Sequence, residues 1–241
     1  NGKSYQGPRK LIVIDPGHGG APTDRYRSTG ARSTIKVNGE YLEEKDLVLD
    51  IARRLEQLIN QAPNLEATMT RRKDVYVSLA DRVKFAEDAG GDAFVSIHLN
   101  GTSRSSKTAR GFEIYFLSDG TKEVNRELLA LENDEQIDLH RTSTASEDLG
   151  ELMRSLLGEK FQMLQEEGRD LAECINGEFM QKGPFRKYHR GVKSNRFRVL
   201  MNLKMPSVLI ECGFLDNPVE ARELIKPEVQ DEIAALIFNG I

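Results

Sequence analysis

Two histidines and a glutamate stand at the ends of apolar segments in this sequence. His18 follows the apolar run at 11–14 and a Pro-Gly turn, His98 closes the segment FVSIH, and Glu211 closes the segment SVLIE. A glutamate that ends an apolar strand must be hydrogen-bonded, paired or bound to a metal, because an isolated buried carboxylate is costly. Two histidines with carboxylates are the residue types of a catalytic zinc site that has a separate glutamate base.

Two adjacent glutamates, Glu43 and Glu44, open a segment with helical periodicity and could add a carboxylate to the histidines. Their simplest role is electrostatic, since negative side chains at a helix N-terminus interact favourably with the helix dipole. The corresponding alternative for His18 and His98 is a pair of unrelated turn residues, each hydrogen-bonded to a backbone carbonyl. Short motifs of other hydrolases and of nucleotide-binding proteins, such as H-E-x-x-H, G-x-S-x-G and G-x-G-x-x-G, are absent from the sequence.

The hydrophobic pattern predicts alternating strands and helices that would position these residues. We expect strands at 11–14, 65–70, 93–97, 111–116 and 207–214, and helices from Glu43 onward, at 78–87 and at 219–225. Residues 21–42, which mix Gly, Pro, Ser, Thr and Arg, are expected to form a loop. Continuous apolar runs indicate strands buried on both faces, as in a parallel sheet, and ligands bind at the carboxyl ends of such strands.

The predicted organisation is a single α/β domain with a mostly parallel central sheet flanked by helices. Residues 1–9 are polar and contain two glycines and a proline, so we expect a disordered lead-in before a domain at 10–241. Residues 118–189 separate two strands by far more than a usual βα connection. This stretch is acidic at its start and has helical periodicity at 149–164, which predicts a helical insertion.

The composition excludes several functional classes. Thirty-four Lys and Arg residues against 38 Asp and Glu residues give a net charge of −4, so nothing global indicates a nucleic-acid partner. No uninterrupted apolar run approaches the roughly 20 residues that span a bilayer, so no membrane span is expected. The two cysteines, Cys174 and Cys212, cannot build a disulfide framework, and we expect Cys212 to be a small interior residue. His140 and His189 are expected at the surface.

Seven blocks of the sequence resemble the zinc-dependent N-acetylmuramoyl-L-alanine amidases of bacterial cell walls, a family that includes the cell-division amidases. The blocks are IDPGHGG, EEKDLVLDIARRL, TMTRRKDVYVSLADRV, FVSIHLN, RGFEIYF, RGVKSNRFRVL and MPSVLIECGFLDNP. They occur in the family's order from Lys10 to about Ile237, and the resemblance is weakest in the insertion. Seven ordered blocks are far more specific than any one motif.

The resemblance implies a metal centre and a chemistry. By analogy His18, Glu44 and His98 are the ligands of one Zn²⁺ per chain, and Glu211 is the catalytic glutamate. Glu211 would take a proton from water and return it to the departing amine. The bond implied is the amide between N-acetylmuramic acid and L-alanine of the stem peptide, so the partner is peptidoglycan, in wall remodelling or daughter-cell separation. Because peptidoglycan lies outside the cytoplasmic membrane, a periplasmic or secreted location is implied.

The resemblance also implies regulation by the insertion. In the cell-division branch, an inserted helical segment covers the zinc cleft, offers a glutamate to the metal, and is displaced by a partner protein. We therefore expect Glu132, Glu147 or Glu151 to fill the open zinc position here and an activator protein to displace it. The polar residues Asn100, Arg110 and Lys193 lie near blocks that should border the cleft, and we expect them to contact substrate.

Two other functions are compatible with these residues. A different zinc peptidase, such as a wall-peptide carboxypeptidase, would use the same ligands and base but release a single terminal amino acid. A non-catalytic wall-binding module would need none of this chemistry. The presence of all four expected site residues argues against that module.

Overall fold

The structure is a computed structural model of the chain. It describes residues 7–20, 30–102, 108–118, 128–129, 132–133, 144–182, 187–201 and 203–241, with side chains in all of these except at 144–157 and 159. Most of the predicted lead-in at 1–9 and the predicted surface residue His140 lie outside the described residues. Glu147 and Glu151, two of the three candidate inhibitory ligands, lie where side chains are not described.

Strands and helices alternate along the described chain. The strands are β1 (Lys10–Pro16), β2 (Arg32–Val37), β3 (Glu40–Glu43), β4 (Leu65–Met69), β5 (Ala93–Asn100), β6 (Glu113–Phe116), β7 (Val192–Ser194) and β8 (Ser207–Phe214). The helices are α1 (Glu44–Gln61), α2 (Leu79–Ala89), α3 (Thr144–Gln181), α4 (Pro218–Leu224) and α5 (Pro227–Gly240). Helix α3 lies within the predicted insertion and is kinked at Gly158, whose φ is 45°.

Six strands form one central sheet in the order β4-β1-β5-β8-β6-β7. The pairs β1–β4, β1–β5 and β5–β8 are parallel, so four neighbouring strands run in the same direction. Strand β6 is antiparallel to β8 and parallel to β7, so these two strands run the opposite way. The predicted mostly parallel sheet is confirmed, and the carboxyl ends of β1, β5 and β8 meet at one edge.

Apolar side chains cover both faces of this sheet. On one face α1 buries the residues of its helical stripe, among them Leu47, Val48, Ile51, Leu55 and Ile59, and α5 packs beside it. Each such side chain contributes about 1.5–3 kcal/mol when it is fully removed from water. The other face carries a second cluster that includes Phe94, Tyr115, Phe197 and Leu209. The sheet is therefore held between two apolar layers, which fixes the positions of its edge residues.

The sequence did not predict the hairpin of β2 and β3, strand β7 or helix α5. The expected loop at 21–42 contains the hairpin of β2 and β3, joined by Asn38-Gly39 with φ values of 53° and 90°. Positive φ at both turn residues is what a two-residue type I′ hairpin requires, and Asn-Gly is its strongest sequence signal. The Asn-Gly turn therefore produces a hairpin in a segment whose polar composition alone predicts a loop. Helix α5 was also missed; it starts at Pro227, a residue favoured in the first turn of a helix.

Candidate metal centre

The predicted site residues converge at the carboxyl edge of the sheet. His98 on β5 lies in register with Glu211 on β8, and Glu211 lies in register with Glu113 on β6. His18 follows β1, the strand on the other side of β5. Register partners point to the same face of a sheet. One row of polar side chains therefore crosses the edge on the face of the second apolar cluster.

Four buried side chains bring one ligand atom each to a common point. His18 Nε2 lies 3.3 Å from Glu44 Oε1 and 3.2 Å from Glu132 Oε2. His98 Nδ1 lies 3.1 Å from Glu44 Oε1 and 2.8 Å from Glu132 Oε2. A tetrahedron of N and O ligands about 2.0–2.1 Å from a zinc ion has edges of about 3.3 Å. The spacing of these four atoms suits a tetrahedral metal.

The hydrogen bonding around the four atoms also fits a metal. Within the described residues, His18 Nε2 and both carboxylate oxygens of Glu132 are buried without a hydrogen-bond partner. Buried polar atoms are nearly always hydrogen-bonded, because leaving one unpaired costs about 1–3 kcal/mol. A cation at the centre of the four side chains would satisfy His18 Nε2 and Glu132 Oε2. His18, Glu44, His98 and Glu132 together are the donor set referred to below.

The charge of the donor set favours a cation. Burial alone would lower the pKa of His18, but the charges of Glu44 and Glu132 raise it to about 10. Burial likewise opposes protonation of His98, and the same two carboxylates raise its pKa to about 9. Two buried carboxylates thus create a negative potential that any positive charge at this point would relieve.

Glu44 is the member of the adjacent pair that reaches the histidines. Both of its carboxylate oxygens accept backbone N–H groups, from Ala31 at 2.6 Å and from Leu99 at 2.8 Å. Glu43 stands outside the first turn of α1 and lies 3.4 Å from the Lys45 ammonium. Backbone donors of this kind fix the orientation of a ligating carboxylate.

Gly30 and Gly17 make room for the donor set. Gly30 has a φ of 70°, and a Cβ there would clash with Oε2 of Glu44 and with Cδ2 of His18. A Cβ on Gly17 would clash with the imidazole of His98. Gly30 has no local sequence signal for this role, because the side chains it accommodates are close in space and not along the chain.

Arg71 holds the backbone of the turn that carries His18. His18 itself has a φ of 55°, a conformation uncommon for residues other than glycine. The buried Arg71 guanidinium donates to the carbonyls of Pro16 at 2.9 Å and Gly17 at 2.7 Å. It also donates to the carbonyl of Lys45 at 2.7 Å, next to Glu44 in the chain. One arginine therefore ties together the backbones that carry two members of the donor set.

Arg82 holds the same turn from α2. Its guanidinium donates to the carbonyls of Pro16 at 2.7 Å and His18 at 2.6 Å, and to the buried Asp15 carboxylate at 2.6 Å. Burial alone would raise the pKa of Asp15, but the charge of Arg82 and hydrogen bonds from Thr70, Arg82 and Ser96 lower it. The uncommon backbone of His18 is thus fixed by buried charged groups, which sequence reasoning missed.

Glu211 lies beside the donor set and is not part of it. It is 0% exposed, and within the described residues neither of its carboxylate oxygens has a hydrogen-bond partner. Burial, with the charges of Glu132, Glu44 and Glu113, raises the pKa of Glu211 well above its usual 4.5. A carboxyl group with a raised pKa holds its proton more readily than an exposed glutamate, as a general acid requires.

A short helical turn brings Glu132 to the donor set. Leu128, one turn earlier, is buried in the second apolar cluster. Asn133 accepts a hydrogen bond from the backbone N–H of Arg198 at 2.7 Å and donates to the carbonyl of Arg196 at 3.4 Å. The turn is therefore anchored on both sides of Glu132, by Leu128 in the apolar cluster and by Asn133 on the segment before β8.

The three predicted substrate residues occupy different environments. Asn100 is only 2% exposed, and its amide donates to Glu113 at 3.2 Å. Arg110 donates to the hydroxyl of Tyr188 at 3.2 Å. Lys193 is 37% exposed and donates to Glu113 at 3.0 Å. Asn100 thus supports Glu113 from the interior. Glu113 was missed, although a glutamate inside the strand FEIYF was a visible signal.

The remaining predictions concern residues outside the centre. Cys212 is buried on β8, as expected for a small interior residue, and His189 is exposed. None of the described helices is both long enough and apolar enough to cross a membrane.

Comparison with known proteins decides the family. Residues 12–241 match the family described as N-acetylmuramoyl-L-alanine amidase. The chain belongs to this amidase family. AmiA of Salmonella typhimurium is 32% identical over 238 residues, which cover 98% of this chain and 76% of AmiA. AmiC of Escherichia coli is 31% identical over 251 residues, which cover 100% of this chain and 54% of AmiC. The chain therefore spans about half the length of that amidase.

The fold agrees with solved amidase structures. The crystal structure of an N-acetylmuramoyl-L-alanine amidase from Clostridium difficile 630 superposes with a TM-score of 0.68 at 28% identity, covering 97% of this chain and 95% of the other. The predicted family and the predicted α/β fold are both confirmed.

Proposed function

We propose that this chain hydrolyses the amide bond between N-acetylmuramic acid and L-alanine of the peptidoglycan stem peptide. The observation that carries the proposal is the buried donor set, with the unpaired carboxyl of Glu211 on the neighbouring strand. Family membership supports the same reaction. The domain at 10–241 would then be the catalytic domain of a periplasmic or secreted wall hydrolase.

His18, Glu44 and His98 would hold one Zn²⁺ per chain. Two imidazoles and a carboxylate are a common ligand set of catalytic zinc, which keeps one further position open. Bound there, Zn²⁺ would supply Lewis-acid chemistry, polarising the amide carbonyl and lowering the pKa of water to about 7. Arg71 and Arg82 keep the His18 turn in place, so the ligands need little rearrangement.

Glu211 would act as the general base and then as the general acid. Its carboxylate would take a proton from the attacking water and return that proton to the nitrogen of L-alanine as the amide bond breaks. Burial among other carboxylates favours the protonated form of Glu211, which the second step needs. The products are the glycan and a peptide with a free L-alanine amine.

Glu132 would keep the enzyme inactive until a partner removes it. Its carboxylate stands where the open ligand position would be, 2.8 Å from His98 Nδ1 and 3.2 Å from His18 Nε2. The element within 118–189 would thus be a regulatory insertion, and an activator protein would displace it. Inhibition of this kind suits an enzyme of wall remodelling or daughter-cell separation, because hydrolysis of the wall must be restricted in place and time.

The test combines zinc content with turnover of insoluble peptidoglycan. We expect about one zinc per chain in the wild type and in Glu132→Ala, Glu211→Gln and the control Glu228→Gln, which lies exposed on α5. Glu132→Ala should release more peptide than the wild type, and adding Glu211→Gln should abolish that release. Release of single terminal amino acids would instead indicate a carboxypeptidase, and absence of zinc from every variant would refute the mechanism.

A further inference from the structure

A group of basic residues surrounds Glu113 at the edge of the sheet that carries the donor set. Arg190 and Lys193 contact Glu113 directly. Arg110 and Lys187 both lie against the ring of Tyr188. The Arg110 guanidinium is 5.4 Å and the Lys187 ammonium 5.2 Å from the centre of that ring. We call Arg110, Lys187, Arg190 and Lys193 the basic cluster. It stands out in a chain whose net charge is −4.

Glu113 holds two cations of the basic cluster, Arg190 and Lys193, in place. One carboxylate oxygen accepts Arg190 Nε and Lys193 Nζ, and the other accepts the hydroxyl of Tyr115 and the amide of Asn100. Burial alone would raise the pKa of Glu113, but hydrogen bonds from Tyr115, Arg190 and Lys193 and the charge of Lys193 lower it, so the carboxylate stays ionised. Two cations therefore face Glu113, and Glu220, whose carboxylate accepts the backbone N–H groups of Gly111 and Phe214, is a second negative charge near Arg110 and Arg190.

The two cations on Glu113 reach solvent. Glu113 is 1% exposed, whereas the side chains of Arg190 and Lys193 are 39% and 37% exposed. The Arg190 guanidinium lies 5.0 Å from the centre of the Phe214 ring, and within the described residues its terminal Nη groups donate no hydrogen bond. A guanidinium with free Nη donors is suited to a planar carboxylate, which it can bind through two parallel hydrogen bonds.

The cluster lies within reach of the scissile bond. Glu113 is in register with Glu211, and Glu211 with His98, so the cluster is on the side of Glu211 away from the donor set. Neighbouring strands are about 4.8 Å apart, which puts the Glu113 backbone about 10 Å from that of His98. An extended peptide advances about 3.3–3.6 Å per residue. A carboxylate one or two residues beyond the cleaved amide would therefore reach the cluster.

We propose that Arg190 and Lys193, held in place by Glu113, form a subsite for a carboxylate of the stem peptide. This inference rests on the proposed function and adds the direction in which the substrate lies across the cleft. The peptide side of the substrate would lie towards β6 and β7, and the glycan side towards β1. The four donors on Glu113 keep both cations at the edge of the cleft before substrate arrives, so binding the carboxylate requires little ordering of side chains.

The experiment compares two substrates that differ in one charge. They are N-acetylmuramoyl-L-alanyl dipeptides whose second residue carries either a free carboxylate or a carboxamide. Affinity is measured by calorimetry and hydrolysis by peptide release, on zinc-loaded protein carrying Glu132→Ala. We expect the carboxylate form to bind about tenfold more tightly, a typical effect of one charge-assisted hydrogen bond.

Charge variants assign that preference to the subsite. Lys193→Met and Arg190→Met should bind the two substrates equally, and Lys193→Arg should retain the preference because it retains the cation. The matched control is Lys204→Met, which removes an exposed positive charge before the opposite end of β8. Melting temperatures of all variants identify any that fail to fold, and Lys193→Arg then carries the comparison with the control.

The outcomes separate this inference from the proposed function. Equal binding of the two substrates by the unaltered cluster would overturn the subsite, even if both substrates were hydrolysed. A preference that persists in both Met variants would overturn it as well. A preference without any hydrolysis would support the subsite and count against the amidase reaction.

Discussion

Asn133 accepts a hydrogen bond from the backbone N–H of Arg198 at 2.7 Å, and the next residue back along the chain is Glu132, in the donor set. This contact and the weaker one to the Arg196 carbonyl fasten the candidate inhibitory glutamate to the body of the fold. The strength of inhibition should therefore depend on an amide that touches neither metal nor substrate.

We predict that Asn133→Ala raises basal peptidoglycan turnover about tenfold. Losing these hydrogen bonds destabilises the closed state, in which Glu132 lies in the donor set, by about 1–2 kcal/mol. The population of the open state, without Glu132 in the donor set, rises accordingly. Turnover of insoluble peptidoglycan measures the effect, with Glu132→Ala as the fully open reference. Asn176→Ala, which alters an exposed contact with His189, should leave turnover unchanged. If Asn133→Ala matched the wild type while Glu132→Ala was activated, the attachment would lie elsewhere.

Gly30→Ala should weaken zinc binding, and Gly39→Ala should not. Both glycines have positive φ, at 70° and 90°, so both substitutions strain the backbone. Only at position 30 would the new Cβ meet Glu44 and His18, since nothing lies within 4 Å of a Cβ at position 39. Competition with a chelator should show a loss of affinity of at least tenfold for Gly30→Ala alone. Equal losses in the two variants would mean that backbone strain, and not the clash, is responsible.

Zinc should stabilise the protein through Glu44 and not through Glu43. A ligand that binds only the folded state, at a thousand times its Kd, adds about 4 kcal/mol to the free energy of unfolding. We expect zinc to raise the melting temperature of the wild type and of Glu43→Gln, and a chelator to reverse the change. Glu44→Gln should lose most of this response. A full zinc response in Glu44→Gln would remove Glu44 from the set of ligands.

Asp15 should make the free energy of unfolding fall in acid. Its pKa is lowered in the folded state, so the stabilisation is present above the unfolded value of about 3.9 and is lost as the pH falls through the folded value. Chemical denaturation between pH 7 and pH 2 measures the effect. Asp15→Asn should be destabilised by about 3–5 kcal/mol at neutral pH, because Arg82 is left buried and unpaired.

The pH series contains its own control. The gap between wild type and Asp15→Asn should narrow below about pH 4, whereas Asp50→Asn, an exposed residue of α1, should follow the wild type throughout. A gap of constant size across the whole range would show that Asp15 acts by shape and not by charge.

The sequence predicted the elements that carry the centre because those elements have strong local signals. Continuous apolar runs indicated the strands that end near His18, His98 and Glu211, and helical periodicity indicated a helix opening at Glu43 and Glu44. The order of seven blocks indicated the family. Local pattern and overall fold agree in these segments, so each element could be predicted from its own residues.

The supporting residues could not be predicted in this way. Arg71 and Arg82 act on carbonyls more than 50 positions away, in a turn whose left-handed residue is a histidine. A buried arginine has no local pattern that separates it from a surface one. Gly30 matters only because two distant side chains converge on it. Such roles arise from tertiary contacts, so they become visible only in three dimensions.

The reversed direction of β6 separates the strands that carry His98 and Glu211 from the start of the connection that leads to Glu132. Because β6 runs against β8, it begins at the edge of the donor set with Glu113 and ends at the opposite edge with Phe116. The chain that leads to Glu132 therefore departs from the far side of the sheet. Under the proposed inhibition by Glu132, insertions or deletions along that connection would change how the site opens without shifting a strand that carries His98 or Glu211. The proposed control by Glu132 could then be engineered independently of the proposed chemistry.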